Sequence, residues 1–256
     1  MDLSSRAEVP TEPRPRFSIT IPLYNEEECV EKCTAEIIRG LDLDFAGQYE
    51  LILVVNGSRD RTPEICQRLA SYYPCVRMVR LESNQGYGGG IIAGLDAARG
   101  DVVGFMCGDG QVAPSDLARA MHEMGTGEWD MVKARRIKRG DGIIRKLNSL
   151  AYNTLFALVL GTRTPDINAM PKLWRRAAMS RLEPTSRDWF IDAEIMIKAR
   201  YRGLRVMELP VHYLERVGGR SAVRVSTALE FVFNAASALV SGRLRAWKRD
   251  QASGMC

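Results

Sequence analysis

The sequence predicts an α/β fold, a mostly parallel sheet flanked by helices. Apolar, strand-like runs at residues 17–23, 51–55, 76–81 and 102–107 are separated by helix-like patterns of roughly ten residues. Strands that alternate with helices in this way form βαβ units. The chain has 256 residues, enough for one large domain or two small ones and for a sizeable core. It is 46% hydrophobic and 26% charged, the balance of a globular protein rather than a disordered or fibrous one.

The elements follow in order. Residues 1–16 are rich in proline and charge and are expected as a disordered leader. Residues 17–23 form the first strand. Asn25 is a candidate helix cap, because Glu26, Glu27 and Glu28 behind it suit the positive end of a helix dipole. Residues 51–55 read as a strand buried on both faces. Residues 63–72 form a helix with Pro63 in its first turn. Residues 76–81 form a strand, 90–99 a helix stopped by Gly100, 102–107 a strand and 114–124 a helix.

The second half differs. Residues 129–135 are strand-like and open a basic stretch in which Lys133, Arg135, Arg136, Lys138, Arg139, Arg145 and Lys146 face one acid, Asp141. Residues 147–160 form a helix that is apolar on more than one face, and 188–202 form an amphipathic helix stopped by Gly203. Residues 204–213 form a strand. A C-terminal amphipathic helix is expected at 226–247, within a final segment 225–256. Its stripe runs from Leu229 through Phe233 and Leu244 to Trp247, and Lys248 and Arg249 follow at its basic end.

Composition excludes several classes. A net charge of +5 is compatible with anionic ligands or lipid headgroups and too small to argue for nucleic acid. No run reaches the roughly 18 apolar residues of a spanning helix. The N-terminus lacks the apolar core of a signal peptide. Of the six cysteines, at 29, 33, 66, 75, 107 and 256, no two form a CxxC pair. The two histidines, His122 and His212, lie far apart, which argues against a zinc site and fits a reducing cytosol. Cys29 and Cys33 read as small core residues one helical turn apart, and His212 as a structural strand residue.

In open parallel sheets, ligands bind outside the carboxyl ends of the strands. Past the first strand come Pro22, Tyr24 and Glu26, and past the second comes Asn56. Asn84 and the Gly-rich run from Gly86 to Gly90 follow the third, and Cys107, Asp109 and Gln111 follow the fourth. Polar, Gly-rich and aromatic groups therefore converge on one edge, which is the expected ligand site. The Gly-rich run lacks the Walker Lys-Ser/Thr and is not GxGxxG in register. Asp109 and Gln111 lie two apart in what reads as an extended segment, so both face one side. Oxygen donors of this kind suit Mg²⁺ or Mn²⁺ bridging a diphosphate.

These residues carry a resemblance. Residues 17–27 resemble the opening of family 2 glycosyltransferases, and residues 54–62 resemble their second strand and turn. Residues 84–88 and 94–101 match the next block, and 107–111 stand where the family has Asp-x-Asp-x-Gln. Residues 166–176 and 192–221 resemble the later blocks. The likeness covers about residues 17–224, in six ordered motifs, and is nearest to the polyprenyl- or dolichyl-phosphate sugar synthases. It implies a GT-A (Rossmann-like) fold over 17–224, a nucleotide-sugar donor and a divalent metal. Pro22, Tyr24 and Glu26 would face the nucleotide, with Asn56, Asn84 and Gly86 on the same edge. Asp109 and Gln111 would hold Mg²⁺ or Mn²⁺ and the diphosphate. Arg135, Arg220 and Ser221 would meet phosphates, and Asp192 and Glu194 would lie near the reaction centre or order the acceptor loop.

The sequence departs from the family at Cys107, which replaces the first metal-site Asp with a soft thiol poorly suited to Mg²⁺. Val55-Asn56 replaces an acidic pair, and Met170-Pro171 replaces Gly-Phe. The expected activity is inverting transfer of a hexose to a polyprenyl phosphate, on the cytosolic face of a membrane. The basic stretch and the two apolar helices would rest on the surface or on a second copy of the chain. Two alternatives stand beside it: transfer to a soluble or glycan hydroxyl, with Asp192 or Glu194 as base, and a non-catalytic nucleotide-sugar binder.

Overall fold

The computed structural model describes residues 14–137, 166–216, 218 and 247. Seven strands form one sheet in the order β3-β2-β1-β4-β6-β5-β7. They are β1 (Phe17–Leu23), β2 (Tyr49–Asn56), β3 (Val76–Leu81), β4 (Val102–Phe105), β5 (Met131–Arg136), β6 (Lys172–Arg175) and β7 (Val206–Val211). All pairings are parallel except those of β6, which runs antiparallel to both β4 and β5. β6 was not legible as a strand. Its four residues set two apolar side chains, Leu173 and Trp174, between two charged ones, so no strand period shows.

The helices are α1 (Val30–Phe45), α2 (Thr62–Tyr72), α3 (Gly86–Ala97), α4 (Pro114–Thr126), the short α5 (Arg176–Met179) and α6 (Ile191–Tyr201). Helices cover both faces of β1. Phe17 stacks edge-on against Phe45 of α1, with ring centroids 5.4 Å apart, whereas Thr20 on the opposite face lies against Gly94 of α3. β2 is buried along its whole length, as expected for a strand covered on both sides. Leu41, Leu51, Ile91, Leu117 and Trp174 are among the buried residues that join these layers into one core.

Two predicted boundaries are corrected. Asn25 does not cap α1, which begins at Val30 after a turn. Asn25 adopts a positive φ of 53°, and its side chain accepts from the Arg59 amide at 2.9 Å instead. α3 starts at Gly86, not at residue 90, because the glycines let its first turn press against a neighbouring backbone. The helix at 147–160, most of the C-terminal helix, Arg220 and Ser221 lie outside the described residues. Trp247 packs edge-on against Tyr201 of α6, with centroids 5.4 Å apart.

Candidate active site

The carboxyl ends of β1, β2 and β4 form one edge, and side chains lace its loops together. The Asn25 amide donates to Ser58 Oγ (3.1 Å), Glu26 N–H to Thr62 Oγ1 (2.9 Å) and Glu27 N–H to Asp60 Oδ2 (3.1 Å). The turn after β1 is therefore held to the turn after β2, with Tyr24 half-exposed at its tip. Asn56 is buried and acts as a clamp. Its Oδ1 accepts from Gln85 N–H (2.9 Å), and its Nδ2 donates to the Gly86 carbonyl (2.8 Å) and toward Asn84 Oδ1 (3.4 Å). Asn84 Oδ1 in turn accepts from Gly86 N–H (2.8 Å). Asn56, Asn84 and Gly86 thus shape the loop that opens α3. The bonds of the Asn56 amide nitrogen are thereby directed inside the protein.

The Gly-rich run meets the 186–188 segment rather than empty space. A Cβ on Gly86, whose φ is +81°, would lie 2.3 Å from the Arg187 carbonyl oxygen, and one on Gly88 would lie 2.2 Å from that of Ser186. Gly89 N–H donates to the Arg187 carbonyl at 3.1 Å. Glycine is required because backbone approaches backbone.

Asp109 and Gln111 do not sit in an extended segment as expected. Gly110 has a φ of 76°, and Asp109 Oδ1 accepts from Gln111 N–H at 3.1 Å, so the segment is a tight turn set by the Asp side chain. The mostly buried Asp109 carboxylate faces Arg216, whose Nη1 lies 3.5 Å from Oδ2. Arg216 also pairs with Glu26 and donates from Nε to the Gly218 carbonyl (2.7 Å). One guanidinium therefore joins the turn after β1 to the turn after β4. Leu214 N–H reaches the Gln111 carbonyl (2.9 Å), and Gln111 Nε2 reaches toward the Leu214 carbonyl (3.5 Å). Cys107 Sγ lies 3.5 Å from Met170 Sδ. Burial, with Asp109 close by, pushes this thiol far above its ordinary value, so it is neutral.

Behind this edge lies a second group. Tyr87 stacks on Trp189 with centroids 4.3 Å apart and 14° between planes, and its hydroxyl lies 3.6 Å from Met170 Sδ. Burial, with Asp192 nearby, raises Tyr87, so it remains a protonated donor. The Tyr213 hydroxyl bridges the Met170 N–H (2.7 Å) and carbonyl (3.1 Å). Asp192 forms a fully buried ion pair with Lys172. Glu194 pairs with Lys198 at 2.7 Å and accepts from the amides of Thr185 (3.1 Å) and Ser186 (2.8 Å). Burial alone would raise Glu194, but Lys198 and the Ser186 amide hold it below its ordinary range.

On β5 the two arginines separate. The half-exposed Arg135 lies 3.8 Å from Glu208. Arg136 grips Asp166 through Nε (2.7 and 2.9 Å), and its guanidinium lies 5.2 Å from the Tyr213 ring centroid. Asp166 is thereby kept ionised, its bonds to Arg136 outweighing burial. Arg135, expected to meet phosphates, is half-exposed beside Glu208, and its neighbour Arg136 is the one that packs against Tyr213. Arg216, Tyr87, Trp189, Lys172 and Tyr213 were not singled out as site residues. Arg216 and Tyr213 stood within one matched block and Tyr87 and Lys172 within two others, and those blocks were the available signal; Trp189 stood in none.

The acidic turn, the Arg bridge and the Gly-rich helix entry lie together at the carboxyl edge of a mostly parallel sheet, where ligands bind in open α/β folds. The family model "Glycosyl transferase family 2" matches residues 18–182, and the chain belongs to that family. Over 232 residues it is 30% identical to the undecaprenyl-phosphate 4-deoxy-4-formamido-L-arabinose transferase of Edwardsiella ictaluri, covering 90% of this chain and 69% of that one. Over 247 residues it is 29% identical to the dolichyl-phosphate beta-glucosyltransferase ALG5A of Trichomonas vaginalis, covering 91% and 75%. Its fold is similar to glucosyl-3-phosphoglycerate synthase from Mycobacterium tuberculosis in complex with Mn²⁺, uridine diphosphate and glucosyl-3-phosphoglycerate, with a TM-score of 0.68, 21% identity and coverage of 90% and 80%. A crystal of that synthase with Mg²⁺ and uridine diphosphate gives a TM-score of 0.67 at 20% identity, covering 90% and 79%. Among the described residues, no helix is long and apolar enough to cross a membrane.

Proposed function

We propose that this chain moves a hexose, with inversion at C1, from a nucleotide diphosphate sugar to a polyprenyl phosphate at the cytosolic face of a membrane. One observation carries the choice of acceptor. The two acids expected near the reaction centre are each neutralised by a buried lysine, Asp192 by Lys172 and Glu194 by Lys198. A carboxylate held in such a pair is a poor general base. A polyprenyl phosphate is already an anion and needs none, whereas a hydroxyl acceptor does. The names of the Edwardsiella and Trichomonas relatives point to the same acceptor class.

The chain's own groups fit the remaining work. Pro22, Tyr24 and Glu26 border the nucleotide edge. Arg216, already placed between two acids, would meet the negative charge that develops on the leaving diphosphate. Tyr87 and Tyr213 present protonated hydroxyls at the floor, and the Tyr87–Trp189 stack offers an apolar face to a sugar ring. Arg136 supplies a cation toward the acceptor side.

A divalent ion is implied by the family and fits in part. Asp109 and the Gln111 side-chain oxygen would hold Mg²⁺ or Mn²⁺ if the substrate's phosphates completed the shell, since such ions are commonly held by one or two carboxylates plus phosphates. Cys107 would contribute nothing to a hard cation. The ion would add positive charge at the diphosphate when bound. Of the basic stretch, Lys133 is fully buried beside Glu208 and does not reach a membrane surface, whereas the half-exposed Arg135 would face anionic headgroups, and association with the membrane or with a second copy belongs to the same reading.

The test is transfer of labelled sugar from a panel of GDP-, UDP- and dTDP-hexoses to a short polyprenyl phosphate. We expect lipid-linked product that depends on the lipid phosphate. Nucleotide binding without transfer under any donor or acceptor would sink this reading in favour of a non-catalytic binder, which Cys107 would then explain.

A further inference from the structure

The two acids that a cation would approach are already occupied by a cation of the chain itself. Arg216 pairs with Glu26 and lies 3.5 Å from Asp109, and the three side chains are only 20%, 18% and 10% exposed. Ion pairs so enclosed are screened less than surface pairs, and removing one partner leaves the other charge uncompensated. Arg216 is also anchored. Its Nε donates to the Gly218 carbonyl (2.7 Å), and two residues earlier Leu214 N–H binds the Gln111 carbonyl (2.9 Å). Leu214 and Arg216 therefore touch the two residues expected to ligate a metal, Gln111 and Asp109.

The remaining position offers no replacement. Cys107 stands where a carboxylate would supply a third anion, and its sulfur faces the Met170 thioether at 3.5 Å. Among the described residues, no group of three or more His, Cys, Asp or Glu side chains could hold a metal. Glu26 and Asp109 carry two negative charges, and Arg216 cancels one. The affinity of a hard divalent cation follows the number of anionic oxygens it meets.

Resting on the transferase reading, we propose that Arg216 is a resident counter-ion that closes the Glu26–Asp109 pair in the free chain, so that a divalent cation joins only with a nucleoside diphosphate that draws Arg216 away. The diphosphate supplies the missing anionic oxygens and offers the guanidinium a bidentate partner of higher charge than either carboxylate. Asp109 and Gln111 are then freed for the incoming cation together, because Arg216 and Leu214, two residues apart, hold them.

Water-proton relaxation enhancement by Mn²⁺ reads this without turnover. The full chain would be titrated with Mn²⁺ alone, then with GDP, UDP or dTDP present, against Mn²⁺–nucleotide mixtures lacking protein. We expect little enhancement from the chain alone, and a clear ternary signal with the diphosphate that calorimetry shows to bind. Arg216→Gln and Cys107→Asp should each tighten Mn²⁺ binding to the free chain by about tenfold or more. Melting curves identify a variant that fails to fold, and the other variant then carries the comparison. Wild-type chain that binds Mn²⁺ as tightly as both variants overturns the proposal. So does a diphosphate that binds while Mn²⁺ never joins it. If no diphosphate binds at all, the transferase reading falls first, and this inference falls with it.

Discussion

Asp109 shows how one side chain can serve the backbone and the site together. Its Oδ1 shapes the turn by accepting from the Gln111 amide, while Oδ2 faces Arg216. Asp109→Asn keeps an oxygen for the turn and removes the charge. We expect transfer to fall about 100-fold or more, the scale on which loss of one charge-stabilising group acts, with the melting temperature nearly unchanged. Sugar-transfer rates beside a melting curve check this, and equal losses of fold and activity would contradict it. Cys107, Arg216 and Asp192 show what a linear sequence can and cannot display. The Cys for Asp exchange is visible in one position of a motif. The partners of Arg216 and Asp192 are not, because Glu26 is 190 residues from Arg216 and Lys172 is 20 residues from Asp192.

At the scale of elements, the first turn of α3 and the segment before α6 act as one unit. Gly86 and Gly88 lie against the carbonyls of Arg187 and Ser186, and Glu194 ties the amides of Thr185 and Ser186 from the other side. Trp189 is carried on that segment and is held against Tyr87 of α3. Gly88→Ala places a methyl group 2.2 Å from a backbone oxygen, so the segment must move. We expect about 2 kcal/mol of destabilisation, the usual cost of forcing extra atoms into a tight contact. Transfer should suffer more than nucleotide affinity does. Denaturant unfolding together with calorimetry tests this, and an unchanged unfolding midpoint would refute it. In sequence, the glycines read as part of the ligand edge. Their reason lies about 100 residues away in the chain, in a segment with no motif of its own.

The whole molecule couples buried acids to its stability. Glu50 is held by Arg77 (2.9 Å) and Arg99 (3.1 Å), Asp166 by Arg136 and Glu194 by Lys198. Burial opposes ionisation at all three, yet their partners hold each below its ordinary value, 4.5 for the two glutamates and 3.8 for the aspartate. A carboxyl depressed on folding contributes stability that is fully present above its unfolded value and is lost as pH falls through its folded value. Stability should therefore hold between about pH 5 and 7 and fall steeply below about pH 4, the range in which these groups take up protons. Glu194→Gln should lower the plateau by about 3 kcal/mol, the loss expected on breaking a buried pair, and flatten the acid limb. Urea unfolding across pH reads both, and an acid limb equally steep in the variant would remove Glu194 from this account.

The sequence alone determined the parallel β1–β4 half of the sheet, the edge proposed for the ligand and the family, because these rest on local patterns. Buried strands read as apolar runs, glycines and acids follow their carboxyl ends, and each motif is contiguous. The antiparallel β6 and the pairing of Arg136 with Asp166 had no such pattern, and only the tertiary structure decided them. The same holds for the lysine partners that remove Asp192 and Glu194 as free bases, and for the Arg216 bridge across Glu26 and Asp109. Each depends on which distant groups meet when the sheet closes. Whether a buried charge is a base, an anchor or a counter-ion is set by its neighbours in space rather than in sequence.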